Sequence, residues 1–305
     1  MGIHGILPLW KEAGMTSHDC VFKVRKILGT KKVGHTGTLD PAVEGVLPIC
    51  IGHATRLAEY IQDAGKTYEA IISIGKATTT EDAEGDIVLN DSTEKTITRE
   101  QLLAALAQLT GEITQTPPMF SAVKVNGRRL YDYARAGETV ERPSRIVKIH
   151  ALELLDDATQ YSGETIEFAL RIQCGKGTYI RTLSVQIGEI LGYPAHMKSL
   201  VRTMSGTYTQ QQCVTLAQLK ELTDAGEASA ILRPVETALE DYPSAEITAE
   251  NRKDILNGAV LPMHTSLLQS DKIVFMENNK AVAVYIAHPT KAGLMKPEKM
   301  FPKVD

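Results

Sequence analysis

The sequence is most informative at Gly34-His35-Thr36-Gly37-Thr38-Leu39-Asp40-Pro41, a glycine-rich stretch that continues to Gly45-Val46-Leu47-Pro48. Its glycines allow the backbone to approach a ligand closely, and Pro41 favours an extended conformation at Asp40. We therefore predict a structured loop over residues 33–48 rather than a regular element. A rigid loop of this kind suits a nucleophile or general base at Asp40, but it equally suits a tight turn that Asp40 caps.

Three helices are predicted from capping residues and apolar periodicity. The first begins at Thr16-Ser17 and ends at Gly29. The second opens with a capping box of Thr98 and Gln101 and stops at Gly111. A third ends at Gly192. The positions predicted to face the core are Cys20, Val21, Val24, Ile27 and Leu28; Leu102, Leu103, Leu106 and Leu109; and Ile180, Leu183, Ile187, Ile190 and Leu191.

Strands are predicted at residues 67–74, 146–155 and 164–173, where β-branched and aromatic residues are concentrated. Asn126-Gly127 predicts a tight hairpin. Because helices and strands do not alternate strictly, we expect an α+β fold with a mixed, mostly antiparallel sheet flanked by helices. From about residue 245 the chain predicts a small β-rich C-terminal module.

Composition limits the classes of function. The chain has 305 residues, enough for about two domains, with 33 Lys and Arg against 37 Asp and Glu. A net charge of -4 taken alone argues against a nucleic-acid-binding protein, because phosphate contacts need basic side chains. The four cysteines are far apart and no His-x-x-x-His pattern occurs, so no metal site is expected.

Targeting signals are not expected in this sequence. The first residues lack the basic start of a secretory signal, and no apolar run approaches the roughly 18 residues of a membrane-spanning helix. We therefore expect a cytoplasmic protein with no membrane partner.

The same residues are compatible with other chemistry. His35 among glycines could indicate a nucleotidyl transferase, but the chain lacks a phosphate-binding loop, since Gly75-Lys76 is followed by Ala77. Cys174 could be a nucleophile, although its place at a strand end favours a buried, inert thiol. Tyr68 and Tyr179, taken separately, fit core positions as well as a binding site.

Five motifs in sequence resemble the TruB family of tRNA pseudouridine synthases over at least residues 1–210. The motifs are Gly14-Met15-Thr16-Ser17, His35 to Pro41 with Gly45 and Leu47, Lys66-Thr67-Tyr68, Pro117 to Lys124, and Gly177 to Leu183. The resemblance implies a pseudouridine synthase fold. It also implies that Asp40 is the nucleophile that isomerises a uridine in the T arm of tRNA, at position 55, without a cofactor or a metal.

The same resemblance gives roles to further residues. Tyr68 matches a tyrosine that stacks on the target base and assists proton transfer, and Arg181 matches an arginine that pairs with the catalytic carboxylate. Tyr179 and Leu200 match positions of the uracil pocket. His35 matches the side chain that fills the space left when the base is extruded. An arginine beside a carboxylate lowers an Asp pKa by about 1–3 units, so we expect Asp40 to be ionised throughout the physiological range.

The resemblance also predicts how the chain is divided. Residues 1–240 would form the catalytic domain, with 116–142 as an insertion that grips RNA, and 245–305 would form a PUA-like RNA-binding domain. Lys124, Arg128 and Arg129 are predicted to contact the RNA backbone, and we expect a monomer. Two departures are Glu12, where the family commonly has proline, and Val201, where it often has arginine; the second leaves the family role of Arg202 in doubt.

Local charge reconciles the acidic chain with an RNA substrate. Residues 1–39 carry six basic and two acidic side chains, and residues 119–150 carry seven and three. Residues 76–100 carry three basic and seven acidic ones, which we expect to lie away from the RNA. Charge reversal at Arg128 and Arg129 should then weaken tRNA binding, whereas reversal at Glu81 and Asp82 should not. A non-catalytic RNA-binding or tRNA-folding protein on the same scaffold remains an alternative.

Overall fold

A computed structural model describes residues 3–301, in which a large mixed sheet forms the centre of the chain. Its strands follow the order β1-β3-β14-β4-β13-β11-β8, with β2 paired to β3 and β15 paired to β14. The strands up to β15 are β1 (Gly5–Lys11), β2 (Val33–His35), β3 (Glu44–Ile51), β4 (Lys66–Ile74), β5 (Lys76–Thr78), β6 (Ile87–Asn90), β7 (Lys95–Thr98), β8 (Gly111–Gln115), β9 (Lys124–Val125), β10 (Arg128–Arg129), β11 (Arg145–Leu154), β12 (Gln160–Gly163), β13 (Ile166–Cys174), β14 (Ala195–Ser205) and β15 (Tyr208–Thr209).

Every neighbouring pair in the described part of this main sheet is antiparallel except β3 and β14, which run parallel. The predicted α+β class with a mostly antiparallel sheet is confirmed. The helices are α1 (Ser17–Leu28), α2 (Ala58–Asp63), α3 (Arg99–Gln108), α4 (Leu130–Arg135), α5 (Ile180–Leu191), α6 (Leu216–Asp224) and α7 (Arg252–Leu256). Short 3-10 helices span Gly52–Leu57, Gln210–Gln212, Ala228–Ile231, Val235–Ala238 and Thr265–Leu268.

The caps confirm both predicted ends of α1 and the predicted start of α3, whereas the predicted stop of α3 at Gly111 was wrong, because α3 ends at Gln108 and Gly111 begins β8. Thr16 caps α1 in a capping box with Asp19, and Gly29 ends it in the left-handed conformation that glycine adopts readily. Thr98 and Gln101 form the predicted capping box of α3. These caps satisfy backbone groups that each helix end would otherwise leave without a partner.

Some sequence predictions were wrong about what is buried or regular. Residues 33–48 are not one irregular loop, because β2 and β3 pair within that range and leave only residues 36–43 between them. We call residues 36–43 the Asp40 loop. Leu103 and Ile190 are exposed, since α3 and α5 each bury a narrower stripe than predicted.

The C-terminal part forms a separate five-stranded sheet in the order β16-β18-β19-β20-β17. Its apolar core includes Ile273, Phe275 and Tyr285. A second apolar cluster joins it to the rest of the chain, since Leu57 and Tyr60 pack with side chains of this sheet. The strands are β16 (Ser244–Glu246), β17 (Leu261–Pro262), β18 (Lys272–Glu277), β19 (Lys280–Ala287) and β20 (Leu294–Met300).

The predicted C-terminal domain runs to residue 305, of which 302–305 lie outside the described residues. Among the helices that the structure describes, none has the length and apolar character needed to span a membrane.

Candidate active site

An open cleft of about 860 Å³ lies where the Asp40 loop, the start of α1, the start of α5 and the 116–142 segment meet. Six segments that are distant in sequence contribute to its walls, because Tyr68 of β4 and Leu200 of β14 also line it. The cleft brings together the six side chains that the sequence predicted for the catalytic and uracil sites, namely His35, Asp40, Tyr68, Tyr179, Arg181 and Leu200.

Asp40 and Arg181 form an ion pair in this cleft. Nε of Arg181 lies 3.1 Å from Oδ2 of Asp40, and the side chains of Arg181 and Asp40 are 6% and 40% exposed respectively. The rest of the guanidinium is held by backbone, because Nη1 donates to the Thr80 carbonyl and Nη2 to the Phe120 carbonyl, both at 3.0 Å. Arg181 is therefore fixed in the wall, and the carboxylate it orients faces the open space.

The acidic segment that follows β5 contributes to this site. An Asp82 oxygen lies 3.7 Å from Nη1 of Arg181. Glu81 accepts a hydrogen bond from the Thr182 hydroxyl at 2.8 Å, next to Arg181 in α5. The expectation that these acidic residues lie apart from the site was wrong, because the chain reversal after β5 returns them to α5. Glu81 and Asp82 are accordingly unsuitable as control positions for RNA binding.

The direction of the Asp40 pKa shift also differs from the prediction. Burial among the cleft walls raises the pKa of this carboxyl above its ordinary value, and the negative charge of Asp82 adds to the rise. The guanidinium of Arg181 and the ammonium of Lys11 oppose the shift without cancelling it. Desolvation of a carboxylate thus outweighs its ion pair here, and the expected lowering of the Asp40 pKa was wrong.

Tyr68 lies in β4 with its side chain almost fully buried beside the cleft. It shares a buried face with Ala70, Ile72 and Ile74, as the alternation of the strand predicts. Burial raises the pKa of its phenol, so the hydroxyl is protonated at neutral pH. Tyr68 therefore offers both an aromatic face and a proton donor.

Buried side chains hold the Asp40 loop from behind. Lys11, fully buried at the end of β1, donates to the carbonyls of Pro41 at 3.1 Å and Val43 at 2.5 Å. The Ser17 hydroxyl accepts from the Leu39 amide at 2.9 Å and also donates to the Leu39 carbonyl. These contacts fix the backbone on both sides of Asp40. Its carboxylate thus has little freedom to move.

The remaining predicted residues occupy the cleft rim. Nδ1 of His35 accepts a hydrogen bond from the Gly37 amide, and burial lowers the imidazole pKa, which favours the neutral ring. Tyr179 immediately precedes α5, and its amide donates to Gln115 at 2.9 Å. The Arg145 guanidinium lies 4.9 Å from the centre of the Tyr179 ring.

The 116–142 segment contains the predicted hairpin, with Asn126 and Gly127 both at positive φ between β9 and β10. Arg128 is engaged within this segment, pairing with Glu138 at 2.8 Å and covering the Tyr133 ring. Lys124 is exposed and lies outside the cleft lining.

Further side chains of this segment line the cleft, and Ser121, Tyr131 and Arg135 among them were not predicted as site residues from the sequence. Arg129, predicted only as a backbone contact, and Arg135 both stack on the ring of Tyr131, with guanidinium carbons 5.5 and 5.3 Å from its centre. Ser121 also lines the cleft, and its buried Oγ has no hydrogen-bond partner among residues 3–301. In the sequence, the signal that could have indicated Tyr131 and Arg135 as site residues is the short pattern of aromatic and basic residues at 131–135.

Among the described residues, no group of three or more His, Cys, Asp or Glu side chains could hold a metal ion.

Comparison with known proteins agrees with this geometry. Residues 25–180 match the TruB family pseudouridylate synthase (N terminal domain), and residues 181–240 match the tRNA pseudouridylate synthase B C-terminal domain. The chain belongs to the TruB family. It is accordingly an isomerase with a pseudouridine synthase fold, as the five motifs predicted.

Curated TruB relatives are similar over nearly the whole chain. The tRNA pseudouridine synthase B of Listeria innocua serovar 6a is 55% identical over 300 residues, which is 98% of each chain. That of Geobacillus thermodenitrificans is 52% identical over 97% of this chain and 99% of its own. Among solved structures, one chain of a Cbf5-Nop10-Gar1 complex is 29% identical, with a TM-score of 0.74 over 98% of this chain and 85% of its own.

Proposed function

We propose that this TruB-family isomerase converts the uridine at position 55, in the T arm of tRNA, into pseudouridine, with Asp40 as the nucleophile. The relatives named tRNA pseudouridine synthase B support the general activity, which is isomerisation of a uridine in tRNA. The observation that carries the assignment of Asp40 is its ion pair with the buried Arg181 in an open cleft that Tyr68 also lines.

The reaction moves a base without adding or removing atoms. The bond between N1 of uracil and C1′ of ribose breaks, a bond between C5 and C1′ forms, C5 loses a proton and N1 gains one. The Asp40 carboxylate forms a transient bond with the nucleoside, at C6 of the base or C1′ of the sugar, and later leaves. Both routes require an ionised Asp40 whose direction is fixed, which the Arg181 contact and the Lys11 bonds supply.

The target base must leave its stack to reach Asp40. Extrusion costs a few kcal/mol, and stacking on an aromatic ring returns about 1–3 kcal/mol per base. The buried Tyr68 ring provides this stacking surface, with Tyr179 and Leu200 completing the pocket. His35 at the rim fills the gap in the RNA, and its low pKa keeps it uncharged there.

The RNA backbone follows the basic rim of the 116–142 segment. Arg129 and Arg135 line the cleft, and neither forms a salt bridge with a carboxylate in the part of the chain described here. The charge of Arg128 is offset by Glu138. Of the predicted backbone contacts, we therefore expect Arg129 to contribute most, joined by Arg135, with smaller contributions from Arg128 and Lys124.

The domain organisation completes the proposal. Residues 1–240 form the catalytic domain, residues 116–142 its RNA-gripping insertion, and residues 245–305 a PUA-like domain that binds RNA outside the T loop. The enzyme acts as a cytoplasmic monomer on the T stem-loop. The separate C-terminal sheet supports this division.

An unmodified tRNA transcript tests the function. After incubation with the enzyme alone, without metal or nucleotide, pseudouridine is mapped by position, and we expect it at position 55. A product at another position would overturn the assignment of the T arm. Binding without any product would favour the non-catalytic alternative, and calorimetric binding of ATP with magnesium would favour the nucleotidyl transferase.

A further inference from the structure

Arg202 is a fully buried arginine in β14 whose guanidinium bonds to backbone carbonyls. Nε donates to the Val46 carbonyl at 2.7 Å, and the terminal nitrogens make longer contacts with those of Thr38 (3.5 Å) and Gly37 (3.4 Å). Two of these carbonyls precede Asp40 and the third follows the Asp40 loop in β3. One side chain therefore connects both ends of that loop.

The charge of Arg202 lacks the usual counter-charge. Arg171 and Arg181 pair with carboxylates, whereas Arg202 forms no salt bridge within residues 3–301. Removing an ion from water without a counter-charge costs several kcal/mol, and an apolar side chain of similar size would fill the same space at lower cost. The need to bind three carbonyls with one side chain explains an arginine here, because its donors form a rigid fork.

The backbone of Arg202 is also in close contact with the strand that follows the loop. β14 and β3 run parallel, with Arg202 opposite Gly45. A Cβ on Gly45 would lie 2.3 Å from the Arg202 carbonyl oxygen, and Gly45 has φ +134°, a conformation that other residues rarely adopt. The glycine thus permits the close approach, and the guanidinium then reaches the Asp40 loop.

On the opposite side of β14, the cross-strand neighbour of Arg202 is Tyr68 in β4. The positive charge of Arg202 opposes the burial-induced rise in the Tyr68 pKa, so the two groups interact electrostatically. We propose that Arg202 is a positioning residue for the isomerisation, which fixes the Asp40 loop and the Tyr68 side chain relative to each other. This inference rests on the proposed roles of Asp40 and Tyr68.

Two substitutions test the role of Arg202. R202K keeps the charge but its single ammonium cannot replace a three-way fork, and R202Q keeps hydrogen bonding without charge. The control is K198Q, on the same strand, whose exposed side chain pairs with Glu167. Folded fraction is measured by thermal unfolding, tRNA affinity by filter binding, and kcat and KM on the unmodified transcript.

Misplacing a reacting group by about 1 Å costs roughly 10²-fold in rate. We expect kcat of R202Q to fall by at least that factor and kcat of R202K to fall less. The KM and Kd of both variants should stay within about threefold of the wild-type values, because Arg202 is fully buried and does not line the cleft. K198Q should match the parent. Any of three results would overturn the inference. These are a wild-type kcat in both variants, a reduced tRNA affinity with unchanged kcat, and a fall in kcat that only follows the unfolded fraction of the protein.

The D40N variant, assayed in parallel, separates this inference from the proposed function. An active D40N overturns the nucleophile assignment whatever Arg202 does. An inactive D40N beside fully active R202K and R202Q overturns only the positioning role of Arg202.

Discussion

Nε of Arg181 lies 3.1 Å from Oδ2 of Asp40, while Nη2 of the same guanidinium donates to the Phe120 carbonyl at 3.0 Å. Phe120 belongs to the 116–142 segment that we propose grips the RNA. One side chain therefore contacts both the proposed nucleophile and the segment that we propose grips the RNA. We therefore expect a displacement of this segment to change the orientation of the Asp40 carboxylate.

Replacing Arg181 should impair turnover far more than binding. R181K retains a charge but cannot keep the contacts with Asp40, Thr80 and Phe120 together, and we expect kcat to fall by about 10²-fold or more. Single-turnover rates on the transcript measure this. The control R171K changes an arginine at the surface, paired with Glu69 and Glu153, and should leave kcat within about twofold. Equal rates in the two variants would contradict the proposed role of Arg181.

In the rate–pH profile, the acid limb, where activity is lost as the pH falls, should have its midpoint above the ordinary pKa of an aspartic acid. Asp40 must be ionised to attack, and burial raises its pKa, so kcat falls as the pH drops through that raised value. Because the charge of Asp82 contributes to the rise, D82N should move the acid limb to lower pH. Rate–pH profiles of both proteins provide the measurement. A D82N limb displaced to higher pH would show that Asp82 acts otherwise.

Salt dependence should distinguish Arg128, Arg129 and Arg135, three of the four arginines of the 116–142 segment. Removing one side chain that binds a phosphate reduces the slope of log affinity against log salt by roughly 0.7–0.9. R129Q and R135Q should each flatten the slope by about this amount, because both guanidinium groups line the cleft. R128Q should change it less, since Glu138 already offsets that charge. Titrations of tRNA binding at several salt concentrations decide this, and an R128Q effect as large as that of R129Q would contradict it.

Ser121 should contact the substrate. Ser121 lines the cleft, its buried Oγ has no partner among residues 3–301, and a buried hydroxyl without a hydrogen bond costs about 1–3 kcal/mol. S121A should therefore raise Tm, yet raise KM several-fold because the alanine cannot bond to the extruded nucleotide.

Ser205 gives the matched control for that substitution. Its buried Oγ also has no partner in the described chain, but it does not line the cleft. S205A should raise Tm and leave KM unchanged. A KM for S121A equal to that of S205A would show that the Ser121 hydroxyl makes no bond to the RNA.

The sequence could predict side chains that meet in one cleft, because the predicted chemistry is concentrated in short motifs. Asp40, Tyr68 and Arg181 come from three separate segments, and all three side chains line the one cleft. The motifs could not show that the Asp40 carboxyl is desolvated, because that depends on how far the walls enclose it. They also could not show that Glu81 and Asp82 return to α5.

Strand β14 is a second feature that the sequence alone could not predict. Ala195–Ser205 carries His196, Lys198 and Arg202 and has no clear apolar alternation, so the sequence did not predict a strand. Its place is set by pairing with β3 on one side and β4 on the other. Such long-range pairing overrides local propensity, and it is the reason Arg202 reaches the Asp40 loop.

The most direct test of the central claim is pseudouridine formation by D40N on an unmodified tRNA transcript. Asparagine keeps the size of the side chain and removes the nucleophilic carboxylate. We expect D40N to fold, to bind the transcript with an affinity within a few-fold of the wild type, and to form no pseudouridine at position 55, where we propose that the wild-type enzyme converts the uridine. Retained conversion at position 55 by folded D40N would contradict the assignment of Asp40 as the nucleophile.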